Sequence, residues 1–350
     1  MFRISLPILL ACLGSALAGP LTAAPAHAGV GLAELPGLQG DGPVTVYYPS
    51  AAAEAPVARG PFTLSVASNA APVRGNGRLV VISHGSGGAP WVHADLARVL
   101  VNAGFVVALP QHRGDHYKDF SAPGPESWKL RPAEVSRAID AMGQARQFAP
   151  LLALDKVGVY GGSAGGHTAL TLAGGRWSPM LFRKHCEAHI AEDFSSCVGF
   201  ITLLHGNFLD AIKKTVALGV IRQRFDDATL QGHSDPRIQA AVASVPFAAD
   251  FDMASLAAPR IPLGLMTADL DVNQVPRFHS GAVLAACKTC EHVVDLPTGS
   301  HGVMLSPMPP FAPGSIEAQL LGDPPGFDRS RLVPEAEQKI SAFFSRHLLP

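Results

Sequence analysis

Ten residues near the middle of the chain, Val157 to Gly166 (VGVYGGSAGG), constrain its fold more than any other stretch. A short apolar run leads into Gly161, Gly162, Ser163, Ala164 and Gly165, and an Ala- and Leu-rich helical stretch, His167 to Ala173, leads out. A strand that turns sharply into a helix around a serine needs small residues on both sides. The turn is strained, and the chain passes close to its neighbours. The pattern G-x-S-x-G alone is a weak signal. Between a strand and a helix it marks Ser163 as a candidate nucleophile, the plainer alternative being a serine that only caps the helix.

Such an elbow requires a sheet around it. Val44 to Tyr48 and Phe62 to Val66 read as an opening antiparallel pair. Beyond them, apolar runs at Leu79 to Ile82, Phe105 to Leu109 and Lys156 to Tyr160 alternate with helical stretches at Trp91 to Asn102 and Pro132 to Phe148. That is the order of parallel βαβ units. Further strands are predicted at Val198 to Leu204, Ile238 to Val245, Ile261 to Met266 and His292 to Leu296, with a closing helix from Glu335 to His347. The fold class expected is α/β, a mostly parallel, doubly wound sheet with an antiparallel beginning. Residues 29–350 form one domain in this reading, with an insertion around residues 174–232. Inside the insertion, a helix from Phe208 to Phe225 spaces Phe208, Ile212 and Val216 by four. A core helix is expected there, and a lid over the site is the sharper alternative.

The chain carries 35 glycines and 30 prolines among 350 residues, dispersed without a repeat period, as turns between many short elements are. With 47% hydrophobic residues it has ample material for a core, and its formal net charge of −1 favours neither nucleic acid nor an anionic membrane surface. Arg3, an apolar run from Ile4 to Leu17 and then small residues have the outline of a secretory signal. A-x-A sites end at Ala18 and Ala28, and the second is preferred, which makes residues 1–28 the signal peptide and the mature protein periplasmic or secreted. The run is shorter than the roughly 20 apolar residues of a spanning helix, so no stable membrane span is expected. Cys12 faintly resembles a lipoprotein box, but Leu10 fits it poorly. The remaining cysteines, Cys186, Cys197, Cys287 and Cys290, can pair three ways in an oxidising compartment. The local pairs Cys186 with Cys197 and Cys287 with Cys290 ask least of the fold.

A serine hydroxyl needs a base to take its proton and an acid to hold that base in the right tautomer. Of the 14 histidines, His301 in Gly299-Ser300-His301-Gly302 follows the last predicted strand, where a flexible loop can return it to the sheet edge. Asp269 and Asp271 both follow the strand at Ile261 to Met266, and Asp250 is a third candidate acid. The amides of Ala164 and Ser86 are the candidate oxyanion donors, one after the nucleophile and one in the turn after Leu79 to Ile82. His112 to His116 (HRGDH) invites a metal reading, but its spacing departs from hydrolase metal motifs. No metal or cofactor is expected.

Taken together, VVISHGSGG at Val80 to Gly88, FVVALPQHRGD at Phe105 to Asp115, VGVYGGSAGG, the Asp271 loop and GSH at Gly299 to His301 resemble the α/β-hydrolase superfamily. Within it they look most like the dienelactone hydrolase-like and platelet-activating-factor acetylhydrolase-like branch. The resemblance spans about Leu79 to Leu305. It implies an α/β-hydrolase fold with a Ser163, Asp271 and His301 triad, because Asp271 to Pro276 looks like the acid loop of that fold. It also places the HG motif beside the oxyanion site, in keeping with Ser86. Dienelactone hydrolases proper use cysteine where Ser163 stands, and many esterases carry histidine at Gly162. The implied activity is therefore hydrolysis of a small-molecule or lipid-like carboxylic ester through an acyl-enzyme. Amide or lactone hydrolysis by the same residues, or a catalytically silent binding protein on the same fold, are the alternatives. The sequence specifies no oligomeric state.

Overall fold

The computed structural model describes residues 29–350, so the expected signal peptide lies outside the described residues. Four strands come first: β1 (Gly29–Leu35), β2 (Val44–Ser50), β3 (Ala55–Arg59) and β4 (Phe62–Ser68). The alternating part follows with β5 (Leu79–Ser83), α1 (Ala94–Asn102), β6 (Val106–Pro110), α2 (Pro125–Gln144), β7 (Val157–Gly162) and α3 (Ala164–Leu172). Next come β8 (Arg176–Trp177), α4 (Pro179–His189), α5 (Phe194–Val198) and α6 (Leu209–Arg224), then β9 (Ile238–Ser244), β10 (Phe251–Asp252) and β11 (Leu263–Ala268). The chain closes with α7 (Ser280–Ala286), β12 (Glu291–Leu296), α8 (Ile316–Leu321) and α9 (Arg329–Leu348).

Ten strands form one sheet in the order β12-β11-β9-β7-β5-β6-β2-β1-β4-β3. From β12 to β6 every pairing is parallel, and β2 then joins β6 antiparallel. Side chains alternate across this sheet as the pleat requires. Leu79, Val81, Val157 and Val159 join one core with α2 and α3, while Val80, Ile82 and Tyr160 join the other with α1 and α9. With both faces covered, the central strands read as continuous apolar runs rather than alternating ones. No helix among the described residues is long and apolar enough to cross a membrane.

Several sequence expectations change here. β2 and β4 do not pair with each other, because β1 lies between them, antiparallel to β2 and parallel to β4. β3 carries Pro56 and forms the exposed outer edge, a position that tolerates a missing amide donor. α2 starts at Pro125 rather than Pro132, so Pro125 takes the first-turn position where its missing N–H is no loss. No strand forms at Val198 to Leu204; the segment ends α5, makes one helical turn at Gly199–Ile201 and leaves Ile201 82% exposed. α6 is not a core helix either, since Phe208, Ile212 and Val216 are 81%, 56% and 60% exposed. Its inner side holds Asp210 and Ile221, and Asp210 accepts the amides of His205 and Gly206. Cys186 is bonded to Cys197, tying α4 to α5, and Cys287 to Cys290.

One buried acid makes stability depend on pH. Glu337 on α9 has an oxygen with no partner among the described residues. Burial, and then the nearby Asp95 carboxylate, push its pKa from 4.5 up to about 8. Between these values the folded chain keeps a proton the unfolded chain has lost, so this residue's contribution to stability falls as pH rises through that window. Glu337→Gln is expected to raise the melting temperature at pH 9 and to change it little at pH 4, which thermal denaturation at the two pH values measures.

Candidate active site

Every sequence-nominated site residue sits beyond the C-terminal end of a parallel strand, the edge where open α/β sheets bind ligands. Ser163 follows β7 with φ 56° and ψ −118°, a conformation costly for a residue with a side chain. Its surroundings hold it there: Ser163 N–H donates to Ser244 O at 3.0 Å, and its carbonyl accepts from Phe247 N–H at 3.2 Å and His167 N–H at 3.0 Å. The glycines beside it are sterically required. A Cβ on Gly161 would stand 1.9 Å from Gly165 O, and one on Gly165 would stand 1.8 Å from Ser83 O. The elbow thus exists because the chain can cross itself at two positions without side chains.

His301 Nε2 lies 2.9 Å from Ser163 Oγ, and His301 Nδ1 lies 2.7 Å from Asp271 Oδ2. The other oxygen of Asp271 accepts the amides of Asn273 and Gln274 at 2.9 and 2.8 Å. A carboxylate at Nδ1 fixes the proton there, which leaves Nε2 as an acceptor facing the serine hydroxyl. Asp271 and His301 are 4% and 6% exposed. Asp269 is exposed and makes no hydrogen bond or ion pair with His301, while Asp250 is buried elsewhere, 3.1 Å from His167 Nε2. Gln274 is a residue that sequence reasoning missed: its Nε2 donates to Ser163 Oγ at 3.1 Å. Its only sequence signal is its place three residues after Asp271.

The turn after β5 passes directly over the serine, with the position of a Gly85 Cβ 3.5 Å from Ser163 Cβ. A buried ion pair holds this turn. Arg131 on α2 donates to Asp115 Oδ2 at 2.7 Å and to His84 O, and Asp115 Oδ1 accepts Ser86 Oγ at 2.6 Å and Gly87 N–H at 2.9 Å. Burial alone would raise the Asp115 pKa, but Arg131 and the bonds from Ser86 and Gly87 outweigh it and hold it below the ordinary value. Ser86 therefore spends its hydroxyl on Asp115, and its amide has no partner among the described residues. Ala164 is buried behind the serine at the start of α3, where helix amides have no partner within the helix. Asp115→Ala would strand the Arg131 guanidinium, and we expect a loss of about 3–5 kcal/mol in unfolding free energy by urea titration.

The HRGDH residues are engaged in the same scaffold. His112 Nε2 lies 2.8 Å from Ser83 Oγ and its Nδ1 2.6 Å from Glu134 Oε2. This is a second serine, histidine and acid chain, but Ser83 and His112 are fully buried, so no substrate reaches it. Burial pushes the His112 pKa well below and the Glu134 pKa above their ordinary values. His185, Asp193 and His279 also come together, with ligand-type atoms within 4.8 Å of one another. His279 Nδ1 accepts the Ala248 amide at 3.0 Å, so Nε2 carries the proton and gives it to Asp193 at 2.9 Å. That nitrogen cannot also bind a cation. Asp193 instead accepts the Val275 amide at 3.2 Å and pins α5 to the Asp271 loop.

Beside Ser163 opens a cavity of about 440 Å³, walled by Trp91, Tyr117, Phe120, Phe200, Val245 and Phe311. Its lining contains no lysine or arginine among the described residues. The arrangement can hold an apolar ligand against a serine whose proton has an acceptor in place.

No protein-family model and no curated protein matches this sequence. Among solved structures, the chain is similar to a ferulic acid esterase from Streptomyces cinnamoneus, with 18% identity and a TM-score of 0.57 over 95% of this chain and 92% of that one. With its parallel sheet, helices on both faces and elbow after β7, the protein has the α/β-hydrolase fold.

Proposed function

We propose that the protein is an exported serine hydrolase that cleaves a carboxylic ester, with Ser163 as nucleophile, His301 as general base and Asp271 as the acid that fixes the histidine tautomer. The observation that carries this reading is the unbroken hydrogen-bonded chain from Asp271 through His301 to Ser163 Oγ, at the wall of an apolar cavity. Ser163 Oγ attacks the ester carbonyl as its proton passes to His301 Nε2. The carbonyl oxygen takes up negative charge, received by the amides of Ser86 and Ala164. Collapse of this intermediate breaks the bond to the alkoxy group, which leaves with the proton from His301, and Ser163 retains the acyl group. Water, deprotonated by the same imidazole, then releases the carboxylic acid and restores the serine.

The cavity's aromatic walls favour a small-molecule or lipid-like ester over a charged one. The esterase named among similar structures supports an ester rather than an amide bond. The motifs resemble those of the dienelactone hydrolase-like and platelet-activating-factor acetylhydrolase-like branch, and a serine in place of that family's cysteine favours carboxylic esters over dienelactones. The N-terminal sequence and the two disulfides support export. A matched set of p-nitrophenyl esters and p-nitroanilides of the same acids tests the bond type. Esters are expected to turn over at least a hundred-fold faster, and anilide rates equal to ester rates would overturn the ester assignment.

A further inference from the structure

Ser163 Oγ has a second neighbour besides His301: the carboxamide of Gln274, whose Nε2 lies 3.1 Å away. Asp271 holds the imidazole proton on Nδ1, so the one hydroxyl hydrogen of Ser163 points to His301 Nε2. Oγ therefore meets Gln274 with lone pairs alone, and only the amide N–H of that side chain can bind them.

The turn around Gln274 aims the side chain at the serine. Gln274 N–H donates to Asp271 Oδ1 at 2.8 Å, and the next amide, of Val275, donates to Asp193 Oδ1 at 3.2 Å. Asp193 is buried and fixed in turn by Ser196 Oγ at 2.6 Å and His279 Nε2 at 2.9 Å. The other end of the carboxamide is left without a bond: Gln274 Oε1 is buried and has no partner among the described residues. An unpaired buried carbonyl costs stability, and an apolar side chain of similar length would avoid that cost. What glutamine supplies here that such a side chain cannot is the N–H on Oγ.

That bond changes strength through the reaction cycle. In the free protein Oγ is a hydroxyl oxygen that already accepts it, so the bond exists before acylation begins. In the acyl-enzyme Oγ is the alkoxy oxygen of an ester, a poor acceptor because it shares a lone pair with the carbonyl. Deacylation adds water to the acyl carbon as a water proton passes to His301 Nε2. The C–Oγ bond then breaks, its electron pair returns to Oγ, and Oγ takes the proton back from His301 as the carboxylic acid departs. As charge gathers on Oγ, the bond from Gln274 grows from weak to charge-assisted. Only an interaction stronger in the transition state than before it speeds a step, so the gain falls on deacylation.

We propose that Gln274 is a fourth catalytic residue, donating to Ser163 Oγ as that oxygen leaves the acyl group, and that it accelerates deacylation more than acylation. This role rests on the ester-hydrolase reading of Ser163.

The test uses the p-nitrophenyl ester that the wild-type protein hydrolyses fastest. Steady-state kcat, together with the fraction of protein carrying the acyl group under saturating ester, read by mass spectrometry after acid quench, gives the acylation and deacylation constants separately. In Gln274→Met the deacylation constant is expected to fall about ten-fold or more, with the acylated fraction rising. The acylation constant, and kcat/KM, which reports acylation, should stay within about three-fold of wild type. A displaced acid loop would instead slow both steps alike. Because methionine removes the unpaired buried oxygen, the melting temperature should stay level or rise, and Gln274→Leu should show the same split with a side chain of different shape. Equal losses in the two constants, a deacylation constant within about two-fold of wild type, or loss of the fold in both variants would overturn the role of Gln274 and leave the ester-hydrolase reading standing. A wild-type protein that hydrolyses no p-nitrophenyl ester would overturn both.

Discussion

Ser163→Ala is expected to lower kcat on a p-nitrophenyl ester by on the order of 10⁶-fold while leaving the fold intact. The substitution removes only Oγ, the atom bonded to His301 and Gln274. The main-chain bonds that hold the elbow, to Ser244, Phe247 and His167, do not involve the side chain. Alanine also bears the same φ of 56° at much the same cost. A circular dichroism spectrum and melting temperature close to wild type, with the rate lost, separate chemistry from folding. Some rate above that of water should survive if the amides of Ser86 and Ala164 receive the carbonyl oxygen as proposed.

Asp271→Asn should cost about 10⁴-fold in kcat. An asparagine amide facing His301 Nδ1 donates where the carboxylate accepts, which moves the imidazole proton to Nε2 and turns the base away from its task. The Oδ1 bonds to the Asn273 and Gln274 amides can persist, so the loop should keep its shape. Asp269→Asn is the internal control: that side chain is exposed and makes no hydrogen bond to His301, and activity within about two-fold of wild type is expected. Steady-state kinetics on one ester for the two variants decides between the acids that the sequence alone left open.

How far the site is legible in the sequence follows from how local each signal is. Ser163 sits in a glycine-rich turn between an apolar run and a helix, and His301 in a glycine-flanked turn after another apolar run, so each can be nominated from about ten residues. Asp271 needs more, because Asp269 and Asp271 follow the same strand and only the backbone decides which one meets His301. Gln274 and the Arg131 clamp on the Ser86 turn are illegible for a different reason: their contacts join segments 111 and 47 residues apart, and no spacing encodes them.

The fold divides in the same way. Central strands are continuous apolar runs, buried on both faces, and stand out. β1 does not, because its glycines and short side chains look like a turn until β2 and β4 flank it. In α6 the four-residue spacing of Phe208, Ile212 and Val216 reveals a stripe, but periodicity carries no information about which way a stripe faces. Asp210, capping the preceding loop from the inner side, turns that stripe outward.

The most direct test of the mechanism is reaction with a fluorophosphonate followed by peptide mapping, since an activated serine leaves a stable phosphonyl adduct. The account predicts one adduct, on Ser163, formed far more slowly in His301→Ala and absent in Ser163→Ala. An adduct that persists in Ser163→Ala, or a protein that remains unlabelled while it turns over esters, would contradict it.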